Sequence, residues 1–373
     1  MIKSKQSVCL LRPPGVEAFR LSSASLAMPL GLAYLAGSLE AEGIAYSVLD
    51  SLALAPTTIS RYHKGYLVGL PLEEIPSLIP SDATLVGVGI TFTHEWPAAA
   101  RLIDLIREER PDLPIICGGE HITSMPEFSM ATSKADFLVL GEGEETLVEL
   151  VRAIENGTSF DEIDGIVIRD GNSIIANKRR PRRTDLDNIP WPAWHMFEVE
   201  TYSKHGFVGG MEVPDITLPL LASRGCPYQC TFCSSPNMWT TRWTARDPKL
   251  VVDEIEHYMK TFGARNFPFQ DLTAIIKKDW IVSVCNEIIE RKLDITWQLP
   301  TGTRSEAIDS EVAQLLKRSG QIAMTYAPES GSERTRRYIK KKVNSEQMVA
   351  SIRDSATADL NVLAHIIHDY RLI

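Results

Sequence analysis

Three cysteines beyond the middle of the chain are the residues whose type and spacing indicate chemistry most directly. Cys226, Cys230 and Cys233 fall within eight residues, directly after an apolar segment, residues 218–222, that predicts a strand. A loop of this kind can wrap one compact soft metal centre, because thiolates are the ligands that iron–sulfur clusters prefer. Three protein ligands on a four-iron cluster would leave one iron open to bind another molecule.

Two alternatives to an iron–sulfur centre are a zinc site and a structural thiol cluster. Zinc usually takes a fourth nearby Cys or His, whereas the nearest histidines, His205 and His257, are more than 20 positions away. The remaining cysteines lie on predicted strands or a helix, where a thiol is more often inert core. They are Cys9, Cys117 and Cys285.

The bulk composition restricts the class of protein. The 373 residues suit two domains, and a hydrophobic content of 44% with 23% charged residues is ordinary for a globular chain. A net charge of −9 gives no electrostatic reason to expect a nucleic acid, and the basic run 178–183 is interpreted as a solvated linker. No membrane span or secretory signal is recognisable, so the unpaired cysteines predict a reducing, cytoplasmic location.

The elements that would position these residues alternate between strands and helices. In the first half, this alternation predicts a doubly wound parallel sheet covered on both faces. Two predicted strands end in glycine-rich segments, Gly118-Gly119 and Gly141-Glu142-Gly143. Ligands of such sheets bind at the carboxyl ends of the strands, where glycine permits close approach to the backbone. The alternative is that these glycines only form turns.

The second half repeats a strand–helix unit, which predicts a barrel or part of one with its chemistry at the carboxyl ends of the strands. Residues 165–177 predict a hairpin with a turn at Asp170-Gly171. The proline-rich, aperiodic residues 178–215 read as a linker. We therefore expect three parts, residues 1–160, residues 161–215 and residues 216–373.

The cysteine loop resembles that of the radical S-adenosylmethionine (SAM) superfamily, whose motif is C-x-x-x-C-x-x-C with an aromatic residue, here Phe232, before the last cysteine. The resemblance covers about residues 216–373 and implies a partial (β/α) barrel. It also implies that the three cysteines hold a [4Fe–4S] cluster, and that SAM bound to the open iron is cleaved to a 5′-deoxyadenosyl radical.

Strand ends in the second half supply further positions that match this family. The resemblance implies that Phe232 and four polar residues contact SAM, although each polar residue could instead be a cap or a supporting residue. The four polar residues are Asp271, Arg304, Glu329 and Ser330.

The first half resembles the cobalamin-binding domain found upstream of the barrel in one subgroup of this superfamily. Segments 29–35, 118–121, 141–144 and the linker 186–192 match that pattern in order. The resemblance implies that cobalamin lies against the glycine-rich strand ends, at Gly118, Gly119, Gly141, Glu142 and Gly143. The D-x-H-x-x-G motif that supplies a histidine to cobalt in other cobalamin proteins is absent. Cobalamin would therefore bind without a histidine of the protein on its cobalt.

The chain continues for only a few residues after the fifth predicted strand of the barrel. We therefore expect an α/β protein in which a doubly wound parallel sheet is followed by a partial, C-terminally truncated barrel. An edge strand without its covering helix would expose apolar surface.

The leading functional hypothesis is a cobalamin-dependent radical SAM methyltransferase. The alternatives are a radical rearrangement, cyclisation or oxidation without methyl transfer, and a non-catalytic remnant. The expected partners are a small-molecule or natural-product substrate and an external electron donor of flavodoxin or ferredoxin type, with no nucleic acid and no membrane span.

Overall fold

The computed structural model describes residues 7–17, 26–171, 173–303 and 306–367. The chain divides into two compact units, of which the first comprises Met1–Arg183 with Ile189–Phe207 and the second Thr184–Asn188 with Val208–Ile373. The residues that the sequence predicts as one linker are thus shared between the two units. Among the described helices, none is both long enough and apolar enough to cross a membrane.

The first unit contains the alternating strands and helices that the sequence predicts. Its strands are β1 (Ser7–Arg12), β2 (Gly15–Glu17), β3 (Ala45–Asp50), β4 (Ile59–Tyr62), β5 (Gly65–Val68), β6 (Leu85–Gly89), β7 (Ile115–Gly118), β8 (Phe137–Val139), β9 (Ile166–Asp170) and β10 (Ser173–Ala176). Its helices are α1 (Leu30–Ala41), α2 (Ser51–Leu54), α3 (Ile75–Leu78), α4 (Trp96–Glu109), α5 (Glu120–Ser124), α6 (Pro126–Ala131), α7 (Glu144–Asn156) and α8 (Val199–Lys204).

Seven strands form the main sheet of this unit, in the order β10-β9-β8-β7-β6-β1-β3. The five strands from β8 to β3 are parallel, and β9 and β10 extend the sheet as an antiparallel hairpin. The strands β1, β6, β7 and β8 are almost entirely apolar and buried, as expected for strands covered on both faces, whereas the edge strand β3 is only partly buried. The order places the carboxyl ends of β6, β7 and β8 side by side.

A small antiparallel sheet in the first unit is missing from the sequence-based prediction. Its three strands lie in the order β2-β5-β4. The segments are only three or four residues long, and β4 is largely exposed, so neither an apolar run nor a clear alternation marks them in the sequence.

The second unit repeats strands and helices around a parallel sheet. Its strands are β11 (Ser223–Arg224), β12 (Thr244–Ala245), β13 (Asn266–Pro268), β14 (Thr296–Thr303), β15 (Gln321–Glu329) and β16 (Asn361–Ile366). Its helices are α9 (Ser235–Trp239), α10 (Pro248–Phe262), α11 (Lys278–Glu290), α12 (Ser310–Arg318), α13 (Glu333–Tyr338) and α14 (Ser345–Thr357).

Four parallel strands, in the order β13-β14-β15-β16, form the sheet of the second unit. The predicted strand at residues 218–222 runs beside β13 through two isolated bridges, Thr217 with Asn266 and Leu220 with Phe269. At the opposite edge, Leu363 and Ile366 of β16 are more than half exposed. The described part of the unit therefore forms a partial barrel with an exposed edge strand, as the sequence predicts.

One predicted helix, from Glu333 to about Thr357, is two helices in the structure. The helix α13 ends at Tyr338, and Lys340 takes a left-handed conformation with a φ of +54°. The side chain of Asn344 then caps α14 by accepting a hydrogen bond from the N–H of Gln347 at 3.0 Å. The residues between the helices are an isoleucine, three lysines, a valine and Asn344, so composition alone gives no stop signal other than Asn344.

Candidate functional site

The cysteine loop of the second unit starts where β11 ends. Cys226 and Cys230 are half-buried and Cys233 is exposed, and none of the three forms a disulfide. The other three cysteines are buried in β1, β7 and α11. Burial raises the pKa of Cys9 to about 11 and that of Cys285 to about 12, and it raises the pKa of Cys117 as well. Because thiolate is the reactive and ligating form, these three buried thiols are unsuited to bind a metal, and the role of the loop cysteines as ligands stays a prediction.

Asp271, which follows β13, supports the residues on which the cysteine loop is mounted. Its side chain is fully buried, and its carboxylate accepts hydrogen bonds from the N–H of Ala222 at 3.1 Å and from the hydroxyl of Ser223 at 2.6 Å. The pKa of Asp271 is raised to about 6. Burial raises it, and the hydrogen bond from Ser223 offsets part of that increase. The expected contact of Asp271 with SAM stays a prediction, while the contacts present give it a positioning role.

The start of the loop is also clamped from the side by Trp243. Its indole Nε1–H lies 3.1 Å from the Ser223 hydroxyl oxygen and 3.0 Å from the carbonyl oxygen of Thr273. Ser223 therefore connects Asp271 and Trp243 three residues before the first cysteine. Sequence reasoning did not identify Trp243, because its partners lie 20 and 30 positions away along the chain.

The loop residues suit an iron–sulfur cluster by the chemistry of their donors. Three cysteines that form no disulfide follow a hydrogen-bonded strand end, and the backbone N–H of Ser235 donates to Cys233 Sγ at 3.4 Å. Across residues 7–17, 26–171, 173–303 and 306–367, no three His, Cys, Asp or Glu side chains form a ready-made metal site. The cysteine side chains would therefore converge as the cluster binds.

The carboxyl end of β15 brings two further predicted residues together. Glu329 has a φ of +61° and is only 7% exposed, and its carboxylate lies 3.1 Å from Nζ of Lys341. The hydroxyl oxygen of Ser330 accepts a hydrogen bond from the N–H of Ser332 at 3.2 Å, and its carbonyl oxygen accepts one from Arg336 at 2.5 Å. A non-glycine residue with a positive φ at a strand end is typical of functional sites.

Two other predicted SAM-binding residues have less structural description. Phe232 is half-buried within the cysteine loop. Arg304 lies outside the described residues. The expected roles of both in binding SAM stay predictions.

The glycines predicted to contact cobalamin lie at the carboxyl ends of β7 and β8. Gly119 has a φ of +116°, and a Cβ atom there would lie 2.1 Å from the carbonyl oxygen of Ile90. Gly141 has a φ of +75° with open space around it, and a Cβ atom on Gly118 would be no closer than 3.7 Å to another residue. The edge thus combines one glycine required by the fold with an uncrowded backbone that suits a bulky planar cofactor.

Gly143 and Glu142 complete the second glycine-rich segment. A Cβ atom on Gly143, which precedes α7, would lie 3.2 Å from the side chain of Leu35. The carboxylate of Glu142 accepts a hydrogen bond from the N–H of Arg183 at 2.9 Å and lies 3.6 Å from Nε of Arg182. Glu142 therefore holds the chain that follows the hairpin, and its expected contact with cobalamin stays a prediction.

The basic run 178–183 pairs with the acidic residues of α7. Arg180 lies 3.4 Å from Glu145 and also pairs with Glu149, while Arg183 lies 2.7 Å from Glu145. These ion pairs give the run a role in fastening the chain to the first unit. The sequence-based interpretation of a purely solvated linker was therefore wrong for these arginines.

A buried polar group at the carboxyl ends of β1 and β3 was also missed by sequence reasoning. Arg12 donates a hydrogen bond to the hydroxyl of Tyr202, which donates to the carboxylate of Asp50 at 2.7 Å. Arg12 and Asp50 lie 3.9 Å apart. Tyr202 is 190 positions from Arg12, so no local pattern could have connected them.

Two family models match the chain. The model described as the B12 binding domain matches residues 17–151, and that of the radical SAM superfamily matches residues 220–369. The second match contains all three loop cysteines. The chain thus carries a B12 binding domain followed by a radical SAM domain.

Relatives of this radical SAM protein share both halves. It is 27% identical over 384 residues to the cytidylyl-2-hydroxyethylphosphonate methyltransferase of Streptomyces wedmorensis, with 96% of this chain and 71% of the relative covered. It is 30% identical over 316 residues to the anaerobic magnesium-protoporphyrin IX monomethyl ester cyclase of Synechocystis, with 84% and 59% covered.

A solved structure confirms the fold of this radical SAM protein. The cobalamin-dependent SAM radical enzyme OxsB with aqua-cobalamin bound superposes with a TM-score of 0.76 at 19% identity. The match covers 97% of this chain and 49% of OxsB, so the chain spans about half the length of that enzyme.

The two domains define the cofactors of this radical SAM protein. A radical SAM domain implies a [4Fe–4S] cluster and SAM, and a B12 binding domain implies cobalamin. The three cysteines of the loop, which form no disulfide, and the open backbone at Gly141 fit these groups.

Proposed function

We propose that this chain is a cobalamin-dependent radical SAM methyltransferase. The observation that supports this most strongly is the order of the two domains, a B12 binding domain followed by a radical SAM domain with three cysteines on one loop. A methyltransferase from Streptomyces wedmorensis is similar over 96% of this chain. We also propose that the substrate of this chain is a small molecule or natural product.

In this proposal, Cys226, Cys230 and Cys233 hold the [4Fe–4S] cluster. The bound cofactors would supply a 5′-deoxyadenosyl radical from SAM and a methyl group carried on cobalamin. Asp271 and Trp243 hold the loop in place through Ser223, and Glu329 with Lys341 gives the end of β15 a fixed shape. Phe232, Arg304, Glu329 and Ser330 are proposed to contact SAM.

The first unit would bind cobalamin at the carboxyl ends of its parallel strands. Gly118, Gly119, Gly141 and Gly143 form the proposed contact edge, with Glu142 beside it. Because His121 is buried and both its ring nitrogens lie within 3.3 Å of the hydroxyls of Thr93 and Ser129, that histidine has no nitrogen left for cobalt. Cobalamin would therefore bind without His121 as a ligand.

Iron analysis of a cysteine variant tests the proposed cluster ligands. After anaerobic reconstitution, the wild-type protein should hold about four irons and four sulfides, whereas Cys230→Ala should lose most of both. The matched control is Cys285→Ala, which removes a thiol from the buried face of α11 and should leave the iron content unchanged. A full iron complement in Cys230→Ala would contradict the assignment of the loop.

The second candidate function is a radical ring-forming or oxidative reaction without methyl transfer. It is favoured by the similarity to a magnesium-protoporphyrin IX monomethyl ester cyclase, at 30% identity. Incubation with SAM that carries a labelled methyl group distinguishes the two candidates. Label in cobalamin or in the product supports methyl transfer, and label recovered only in methionine supports the ring-forming alternative.

The proposal also includes a reducing, cytoplasmic location and an external electron donor. None of the six cysteines, all of which the structure describes, forms a disulfide, which suits a reducing compartment. Cleavage of SAM by the cluster requires one electron. In this proposal a reduced partner protein supplies that electron to the cluster.

A further inference from the structure

An open cleft of about 1060 Å³ lies beside the cysteine loop in the second unit. One side is formed by Pro227, Tyr228 and Gln229, which lie between the first two cysteines. The other side is formed by α13, the start of α14 and the residues that connect them. Its lining contains five cations and two acids, namely Arg336, Arg337, Lys340, Lys341, Lys342, Glu333 and Glu346.

A backbone hydrogen bond ties this basic side of the cleft to the cysteine loop. The N–H of Thr231, the residue after Cys230, donates to the carbonyl oxygen of Ile339 at 3.0 Å. Ile339 is fully buried and directly precedes the lysines. This hydrogen bond therefore places Lys340, next to Ile339, close in space to the loop segment that contains Cys230 and Cys233.

The cations of the cleft divide into two groups by their contacts. Arg336 is buried and donates to the carbonyl oxygen of Ser330, and Lys341 pairs with Glu329. Arg337, Lys340 and Lys342 are exposed to solvent. The first pair maintains the shape of the wall, whereas the exposed residues present positive charge outward.

The cleft suits an acidic protein surface better than a small molecule. Small-molecule sites are mostly apolar and enclose their ligand, but this cleft is open and lined mainly by charged and polar side chains. Weak electron-transfer complexes bury little area and depend on complementary charge for orientation. Because the whole chain carries a net charge of −9, an acidic partner is repelled in general and needs a local positive surface to approach.

We propose that this basic cleft is the docking surface for a small acidic electron-transfer protein of flavodoxin type. The proposal rests on the proposed function, because it needs a cluster on the neighbouring loop. The exchange is a one-electron step in which the partner is oxidised by one electron and the cluster is reduced by one, with no bond formed or broken between the two proteins.

Direct binding tests the docking surface without any turnover. The probe is oxidised flavodoxin carrying a fluorescent label, titrated with the reconstituted protein under anaerobic conditions at low and high salt. The affinity of wild type should fall as salt rises, and the double variant Arg337→Glu/Lys340→Glu should bind about tenfold or more weakly at low salt, within the range of electrostatic steering.

The matched control is the double variant Lys64→Glu/Lys249→Glu, which has the same change in net charge. Both lysines are exposed, and neither lines the cleft. Its affinity should stay within about twofold of wild type. Equal binding by all three proteins, or equal weakening in both double variants, would overturn the proposal.

A comparison of two reductants separates docking from the proposed function. Formation of 5′-deoxyadenosine driven by reduced flavodoxin should fall in Arg337→Glu/Lys340→Glu, and formation driven by reduced methyl viologen should match wild type. Equal loss with both reductants would assign the cations to SAM, substrate or folding and overturn the docking proposal. If wild type forms no 5′-deoxyadenosine with methyl viologen, the proposed function fails, whereas the binding titration still decides whether the cleft docks flavodoxin.

Discussion

At the scale of single residues, the six cysteines show what residue type and spacing can predict. Cys226, Cys230 and Cys233 were separated from the other three by their spacing alone, and the structure places them on an accessible loop. Spacing can mark such a set because the distance between ligands of one compact centre is limited by the few residues between them. The expectation that these three cysteines bind one cluster rests on the same short spacing.

The contacts of Asp271 could not be predicted in the same way. The sequence places it at a strand end, which suggests contact with a ligand, but its partners Ala222 and Ser223 lie 49 and 48 positions earlier. Only the parallel alignment of the 218–222 segment with β13 brings them together. A strand-end carboxylate can face either a ligand or its own fold, and the sequence does not distinguish the two.

Replacement of Asp271 tests this positioning role through its pH dependence. The folded protein raises the pKa of Asp271 from 3.8 to about 6, so the folded state binds the proton more tightly than the unfolded state does. The stability that this residue contributes is therefore highest below about pH 4 and falls by about 2–3 kcal/mol as the pH rises to about 6. Asp271→Asn should abolish that part of the slope in the free energy of unfolding.

Urea unfolding of the cluster-free protein between pH 4 and 7 measures the difference. Because Asp50 and Glu95 also have pKa values raised by burial, only the difference between wild type and variant is informative. Asp112→Asn changes an exposed carboxylate and serves as the control. The same slope in wild type and Asp271→Asn would refute the buried, proton-binding state of this residue.

At the scale of elements, the long strands and helices were predicted well and the short ones were not. The helix α10 has a proline at its first position, an Asp247 cap and Gly263 at its end, all readable from sequence. The strands β2, β4 and β5 carry no such signals, since β2 pairs with β5 across more than 40 residues and the β4–β5 hairpin is built from short, partly exposed strands. The break between α13 and α14 was missed because lysines favour a helix as readily as a turn.

The junction between β7 and α5 gives a prediction at this scale. Gly119→Ala should destabilise the first unit by about 2 kcal/mol or more, because its φ is +116° and the new Cβ would overlap the carbonyl oxygen of Ile90. Since this junction forms part of the proposed cobalamin edge, binding of cobalamin should weaken as well. Thermal unfolding and titration of cobalamin by absorbance measure the two effects.

Gly31→Ala is the matched control for that prediction. Gly31 lies in α1, and a Cβ atom there would meet no other atom within 4 Å. This substitution should leave stability unchanged or raise it by up to about 1 kcal/mol, because alanine favours a helix. If Gly119→Ala unfolds at the same temperature as Gly31→Ala, the steric account of the junction is wrong.

At the scale of the whole molecule, the sequence predicts the succession of two α/β units but not how the chain is divided between them. Residues 184–188 belong with the second unit, while residues 189–207 return to the first. The return is fixed by contacts over long separations, such as Tyr202 with Asp50 and the N–H of Ala193 with the carbonyl oxygen of Ala33. Local composition marked this stretch only as aperiodic.

The central claim is that this chain performs radical SAM chemistry, and the most direct test is the formation of 5′-deoxyadenosine. The anaerobically reconstituted protein, reduced with methyl viologen and given SAM, should form this product well above the level of a Cys226→Ala control. Mass spectrometry detects the product and needs no knowledge of the substrate. A protein that holds its cluster but forms no more 5′-deoxyadenosine than Cys226→Ala would contradict the claim and favour a non-catalytic role.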